Sequence, residues 1–310
     1  MKQFLATLLR STSFRWRSTR VMLMTAAGLI GLIACFMAFE DKFIYFPSQH
    51  PDGFWEIDNP LVREGEIFPK IEDCYFATSD GIKLHGWYCT PHRKADGSSN
   101  PIAAEMVLLW FHGNAGNISY RYDMIRAMMT GIPVQVFIID YRGYGRSEGK
   151  PTEHGLYLDA RAAWDYLTNE RGVPSQRVII FGKSLGGAPA IDLASQVEAA
   201  GLIVQSSFTS AREMAAVVMP LLPRVFLHTK MDSVTKISRI LCPKLFIHSR
   251  ADEVVPFEMG YRLYQAAPEP KQFYEVNGAP HNSTYLVGGK PYLDAIRSFV
   301  ESCRPARDRN

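Results

Sequence analysis

The chain has 310 residues, 47% of them hydrophobic and 21% charged, a balance that supports one large buried core and excludes collagen-like, low-complexity and intrinsically disordered classes. The formal net charge of +3 belongs to the N-terminus: Lys2, Arg10, Arg15, Arg17 and Arg20 are five positive charges with no acid among them, so the rest of the chain carries a net −2. No basic run remains on that larger part, which excludes a nucleic-acid partner.

In chain order, a basic segment over 1–20 is followed by residues 21–39 (VMLMTAAGLIGLIACFMAF), 19 residues without a charge. About 20 apolar residues span a bilayer as a helix, whereas the apolar part of a secretory peptide is shorter, so the run predicts a transmembrane anchor. Arg15, Arg17 and Arg20 precede it and Glu40, Asp41 and Lys42 follow. The excess of cations before the run places the N-terminus in the cytoplasm and the remainder on the non-cytoplasmic side. Two alternatives stay open: a lipoprotein attached at Cys35 after Leu32-Ile33-Ala34, and a cleaved, secreted chain.

Residues 40–70, with Pro47, Pro51, Pro60, Pro69 and several aromatics, read as an irregular connector packed on the domain. From 71 to 303 strands and helices alternate. Predicted strands are 72–78, 82–90, 105–111, 134–140, 177–182, 201–206, 243–249 and 271–277; predicted helices are 118–130, 152–170, 185–199, 256–266 and 284–301. Val107–Phe111, Val134–Ile139 and Val178–Phe181 are continuous apolar runs, as strands buried on both faces require. A hairpin turning at Ser79-Asp80-Gly81 precedes the alternation, and its register puts Cys74 and Cys89 out of line for a direct disulfide. With no CxxC spacing among the five cysteines, zinc and redox sites are not expected. The pattern predicts an α/β fold with a mostly parallel, doubly wound, eight-stranded sheet and helices on both faces. Residues 207–242 interrupt the alternation with Phe208, Met214, Val217, Val218, Leu221, Leu222, Val225 and Phe226, and read as a small helical insertion capping a site.

Ligands in such sheets bind beyond the carboxyl ends of the strands, and the chemically suggestive residues fall there. Gly182-Lys183-Ser184-Leu185-Gly186-Gly187 follows a predicted strand and opens a helix. A serine hydroxyl needs position and partners to become nucleophilic. A tight strand–turn–helix passage supplies the position, and it demands small residues at Gly182 and Gly186. Lys183 reads as solvated or locally paired. The turn after strand 105–111 carries His112, Gly113, Asn114, Ala115, Gly116 and Asn117. Its backbone N–H groups can point at a small anion, so the N–H groups of Leu185 and Asn114, with Ala115 as the rival, are candidate donors to an oxyanion. His112 reads as a loop-fixing hydrogen bonder. His281 lies in the loop between the last strand and last helix, free to reach the serine as general base. Asp252 lies just past strand 243–249 and can accept the second imidazole N–H, with Glu253 as its neighbouring rival. Asp140 to Ser147 reads as a glycine-rich scaffold turn. The order Ser184, Asp252, His281 leaves room for a strand and insertion in the first interval and one βα unit in the second.

Together these motifs resemble the α/β-hydrolase superfamily, and more narrowly the bud-emergence-type hydrolases related to the serine-aminopeptidase-like group. The likeness rests on Phe43-Ile-Tyr-Phe-Pro-Ser48, His-Gly-Asn-Ala-Gly-Asn (112–117), Asp-Tyr-Arg-Gly-Tyr-Gly-x-Ser (140–147), Gly-x-Ser-x-Gly-Gly (182–187) and an acid before Val255-Pro256. It covers about residues 40–300; Ala279-Pro280 before His281 departs from the glycine relatives often have. The resemblance implies hydrolysis of an acyl bond by Ser184, Asp252 and His281 with neither cofactor nor metal. The anchor and the apolar insertion favour a carboxyl-ester or thioester of a small molecule or lipid. A peptidase releasing N-terminal residues is the alternative, needing an acid such as Glu153 or Glu213 for the substrate amine; a non-catalytic scaffold is a third.

Overall fold

A computed structural model describes residues 20, 22–28, 31, 34–35, 37, 39–56, 63, 65–95, 98–220 and 227–305. The central sheet comprises β2 (Ile67–Ala77), β3 (Lys83–Ala95), β4 (Ser98–Pro101), β5 (Met106–Phe111), β7 (Val134–Asp140), β8 (Val178–Lys183), β9 (Gly201–Gln205), β10 (Lys244–His248) and β11 (Lys271–Glu275). Their spatial order is β11-β10-β9-β8-β5-β7-β3-β2, with β4 paired to β3. From β7 to β11 every pairing is parallel, while β2, β3 and β4 pair antiparallel and β3 meets β7 antiparallel.

The sheet therefore has nine strands rather than the expected eight. The extra one, Ser-Ser-Asn-Pro, lies in a stretch whose residues favour turns, and it is a strand through its pairing with residues 92–95 of β3. β2 also starts at Ile67, earlier than 72, so residues 67–70 leave the connector and join the sheet. In the hairpin Cys74 faces Gly86 and Ile71 faces Cys89, and both thiols are free.

Side chains of β5 alternate between two cores. Val107, Leu109 and Phe111 join the cluster under the helices Glu153–Asp165 and Gly187–Ala194. Met106, Leu108 and Trp110 join the one under Tyr122–Gly131 and Thr284–Ser302. Period-two alternation with both faces covered is why the strand reads as an unbroken apolar run.

Within the predicted connector, the helix Asp41–Ile44 leads into β1 (Phe46–Pro47), which pairs in parallel with β6 (Ala115–Gly116). Residues 20, 22–28, 31, 34–35, 37 and 39 are helical; the remaining positions of the predicted anchor lie outside the described residues. Among the described residues no helix is long and apolar enough to cross a membrane.

Candidate active site

β8 ends at Lys183, and the chain turns at once into a 3-10 turn at Ser184–Gly186 and the helix Gly187–Ala194. This leaves Ser184 at φ +55°, a left-handed conformation that costs a non-glycine residue about 1–2 kcal/mol. The flanking glycines make the close passage possible. A Cβ at Gly182 would lie 2.5 Å from the carbonyl oxygen of Gly186, and one at Gly186 would lie 2.0 Å from that of Phe111. Ser207 Oγ–H donates to the Ser184 carbonyl at 2.9 Å and fixes the turn from below.

Asp252 and His281 arrive from the ends of two neighbouring strands, β10 and β11. His281 Nδ1 lies 2.9 and 2.8 Å from the two carboxylate oxygens of Asp252, and Nε2 lies 2.9 Å from Ser184 Oγ. A carboxylate can only accept, so Nδ1 carries the proton and Nε2 presents its lone pair to the serine hydroxyl. Asp252 Oδ1 also accepts from the amides of Val254 at 3.0 Å and Val255 at 2.8 Å. Burial pushes the Asp252 pKa up, but the His281 hydrogen bond and charge together with the Val255 amide outweigh it and hold the carboxyl below its ordinary value. Glu253, the rival acid, accepts instead from the backbone N–H of His281 at 3.0 Å. Ser249 Oγ accepts the amides of Ala251 and Ala279, each at 3.1 Å, and so ties the aspartate loop to the histidine loop.

The 112–117 loop approaches from β5. His112 is fully buried; its Nδ1–H donates to the Gly113 carbonyl at 2.7 Å. Burial and then the charge of Arg121 press its pKa down to about 3, so the ring is neutral. The hydroxyls of Tyr141 and Tyr144 donate to the carbonyls of His112 and Asn114 at 2.7 and 2.8 Å. A Cβ on Gly113 would stand 3.5 Å from Ser184 Cβ. Asn114 borders the cavities on both sides of Ser184, whereas Ala115 is exposed and borders one of them. Asp140 anchors the adjoining turn: its carboxylate accepts from the Ile118 amide at 2.9 Å and meets His85 Nδ1 at 3.2 Å.

Two cavities meet at Ser184. One, of about 250 Å³, is apolar and walled by Phe46, Leu185, Phe208, Met214, Val218 and Met231. Phe46 comes from the connector and Phe208, Met214, Val218 and Met231 from the 207–242 segment, of which the helices Ala211–Val218 and Ser233–Ile237 are described and 221–226 are not. The other, of about 440 Å³, is the more polar of the two: His112, Arg121, Lys183 and His281 line it together with Trp110 and Met124. Among the described residues no cluster of three His, Cys, Asp or Glu side chains is arranged to hold a metal.

Three sequence readings change. Lys183 is not a surface side chain: it is 8% exposed, forms no salt bridge among the described residues, lines a cavity, and burial, then Arg121, lower its pKa to about 8. Glu153 lies away from the cavities at Ser184, its carboxylate taken by the Tyr157 hydroxyl and the amides of Lys230 and Met231. Glu213 is paired with Arg262. No local sequence pattern marks Ser207, Ser249 or Arg121, because each acts on a group far along the chain: the Ser184 carbonyl, the Ala279 amide and Lys183.

A family model described as serine aminopeptidase S33 matches residues 103–238. The chain is 37% identical over 287 residues to an uncharacterized protein of Mycobacterium tuberculosis, covering 92% of this chain and 96% of that one. It is 30% identical over 299 residues to the alpha/beta hydrolase domain-containing protein WAV2 of Arabidopsis thaliana, covering 89% and 92%. With alpha/beta hydrolase domain-containing protein 17B of Homo sapiens it shares 36% identity over 197 residues, 64% of this chain and 67% of that one. Among solved structures, the Pyrococcus furiosus esterase Pf2001 superposes with a TM-score of 0.65 at 19% identity, over 84% of this chain and 98% of that one.

Proposed function

Because the chain belongs to the α/β-hydrolase superfamily and is a hydrolase, we propose that it cleaves a carboxyl-ester or thioester of an acylated small molecule or lipid, with Ser184 as nucleophile, His281 as general base and Asp252 as the acid that orients the histidine. The observation that carries this reading is the unbroken chain from Ser184 Oγ to His281 Nε2 at 2.9 Å and from His281 Nδ1 to Asp252 at 2.8 Å. As Ser184 Oγ bonds to the substrate carbonyl carbon, its proton passes to His281 Nε2. The resulting oxyanion sits at the N–H groups of Leu185 and Asn114. Collapse breaks the bond to the leaving oxygen or sulfur, which takes the proton from Nε2 and departs. Water then gives one proton to Nε2 and its oxygen to the acyl carbon; the acid leaves, and the proton returns to Oγ.

The apolar cavity suits the acyl group, since about 25 cal/mol is gained per Å² of apolar surface removed from water. A peptidase reading gains its support from the name of the matching family model, but Glu153 and Glu213 are engaged elsewhere. The test is fluorophosphonate labelling of Ser184, followed by turnover of p-nitrophenyl esters of graded chain length beside aminoacyl anilides. Labelling with ester turnover supports the proposal; anilide turnover alone would move it to the peptidase, and absence of both would leave a scaffold.

We also propose that residues 21–39 anchor the protein in a membrane with its catalytic domain on the non-cytoplasmic side. The support is the uncharged run and the arginines before it. Protease added outside intact cells, after permeabilising any outer membrane, should digest the domain and spare a tag at residue 1. Release of the domain into the medium would indicate a secreted chain, and lipid on Cys35 a lipoprotein.

A further inference from the structure

The two cavities at Ser184 differ in chemistry, and a serine hydrolase assigns them different halves of its substrate. His281 must protonate the departing atom, so the leaving group lies on the side that the imidazole faces. His281 lines the polar cavity and is not among the walls of the apolar one.

Two cations face that polar cavity beside the nucleophile. Lys183, the residue just before Ser184, forms no salt bridge among the described residues although it is almost wholly buried. The charges acting on it are Arg121, of its own sign, and Asp252, whose carboxylate is already held by His281 and two amides. Arg121 gives one N–H to the Ala115 carbonyl and feels the buried carboxylate of Asp140 behind the cavity wall, while its Nε is buried without a hydrogen-bond partner. His112 Nε2 is likewise buried and unpartnered. Because Nδ1–H of that ring is spent on Gly113, Nε2 remains as an acceptor. Asp123 is the acid in this wall, and it is exposed. Buried charges are normally paired and buried polar atoms normally hydrogen-bonded. Two cations and an unused acceptor gathered in one cavity, beside the nucleophile, match a ligand that brings negative charge and a donor.

We propose that the polar cavity receives an oxyanion, a carboxylate or a phosphate, carried by the leaving group, with Lys183 and Arg121 as its recognition pair. This rests on the serine-hydrolase reading above and narrows it to acyl compounds of anionic alcohols or thiols. A hydroxyl or N–H beside the anionic group would satisfy His112 Nε2.

The test compares three S-octanoyl thioesters that differ in the thiol: 3-mercaptopropionate, its neutral N-methylamide, and 2-mercaptoethyl phosphate, with thiol release as the readout. The wild type should favour both anionic substrates by about tenfold or more in kcat/KM, the size of one charge-assisted contact. Lys183→Gln should bring the ratio to about threefold or less, and Lys183→Arg should keep most of it. If Lys183→Gln fails to fold, the wild-type ratio and its decline with added salt decide the matter. Equal turnover of all three thioesters would overturn the proposal, as would Ser184 labelling by a fluorophosphonate with none of them turned over. Inhibition by inorganic phosphate without any substrate preference would assign the cavity to a free anion and also overturn it. Absence of both labelling and turnover would instead sink the hydrolase reading on which it stands.

Discussion

The carboxylate of Glu40 holds Thr229 twice, accepting from its amide at 2.9 Å and its hydroxyl at 2.8 Å, and takes a third hydrogen bond from the His228 amide at 2.9 Å. Phe43, Ile44 and Phe46 follow Glu40 on one side of the apolar cavity, and Leu227 and Met231 flank Thr229 on the other. One buried acid thus clamps two walls that are 189 residues apart in sequence. Glu40→Ala would leave three donors without their acceptor, at a cost of about 2–3 kcal/mol. It should lower the denaturation midpoint and raise KM for an octanoyl ester more than for an acetyl ester. An unchanged chain-length preference would mean that the clamp does not shape the cavity.

Replacing Ser184 separates chemistry from strain. Both Ser184→Ala and Ser184→Gly should abolish fluorophosphonate labelling, since Oγ is gone. Because Ser184 sits at φ +55°, glycine relieves a strain that alanine keeps. Ser184→Gly should therefore be the more stable of the two by about 1 kcal/mol. Equal melting temperatures would contradict the strained turn.

The two adjacent acids should separate cleanly. Asp252→Asn is expected to lower kcat on the order of 10⁴-fold, because an amide can donate to Nδ1 and favour the wrong tautomer. Glu253 meets the His281 backbone from an exposed position, so Glu253→Gln should cost less than about tenfold in kcat. Steady-state kinetics on one ester decides it, and the reverse order would move the acid by one residue.

Lys183 should trade stability for selectivity. Its pKa falls from 10.5 free to about 8 folded, so between those values the unfolded chain holds more protons and stability rises with pH. Below pH 8 the buried charge is a standing cost, and Lys183→Met should stabilise the fold at pH 7 by roughly 1–3 kcal/mol. In the wild type the preference for anionic leaving groups should fade as pH climbs past about 8, where the ammonium loses its proton. Asp252, His281, Arg121 and Asp123 share the cavity or its edge. Among them, Arg121 keeps its charge through this range, so part of the preference should survive. Thermal melts and thioester kinetics from pH 6 to 10 read both effects; a Lys183→Met protein that melts lower would remove the argument for an uncompensated charge.

Much of the fold was legible from residue order, for local reasons. Apolar runs such as Val107–Phe111 announce strands covered on both faces, and alternating elements with short links announce a parallel sheet. The glycines at 182 and 186 mark a turn that side chains would block, as the 2.5 and 2.0 Å approaches explain. The positions of Ser184, Asp252 and His281 beyond strand ends could likewise be read, because strand ends are set by patterns a few residues long. What only the tertiary structure decided depends on distance through space. The strand Ser98–Pro101 exists through its pairing with β3. Glu153 and Glu213, plausible as partners for a substrate amine, are drawn away by the amides of Lys230 and Met231 and by Arg262. Lys183 looks like any surface lysine in the chain, yet the turn that projects Ser184 outward also carries the residue before it into the protein, opposite Arg121. Periodicity encodes which face of an element is apolar; whether a charge inside the fold finds a partner is set by elements folded against it from far along the chain.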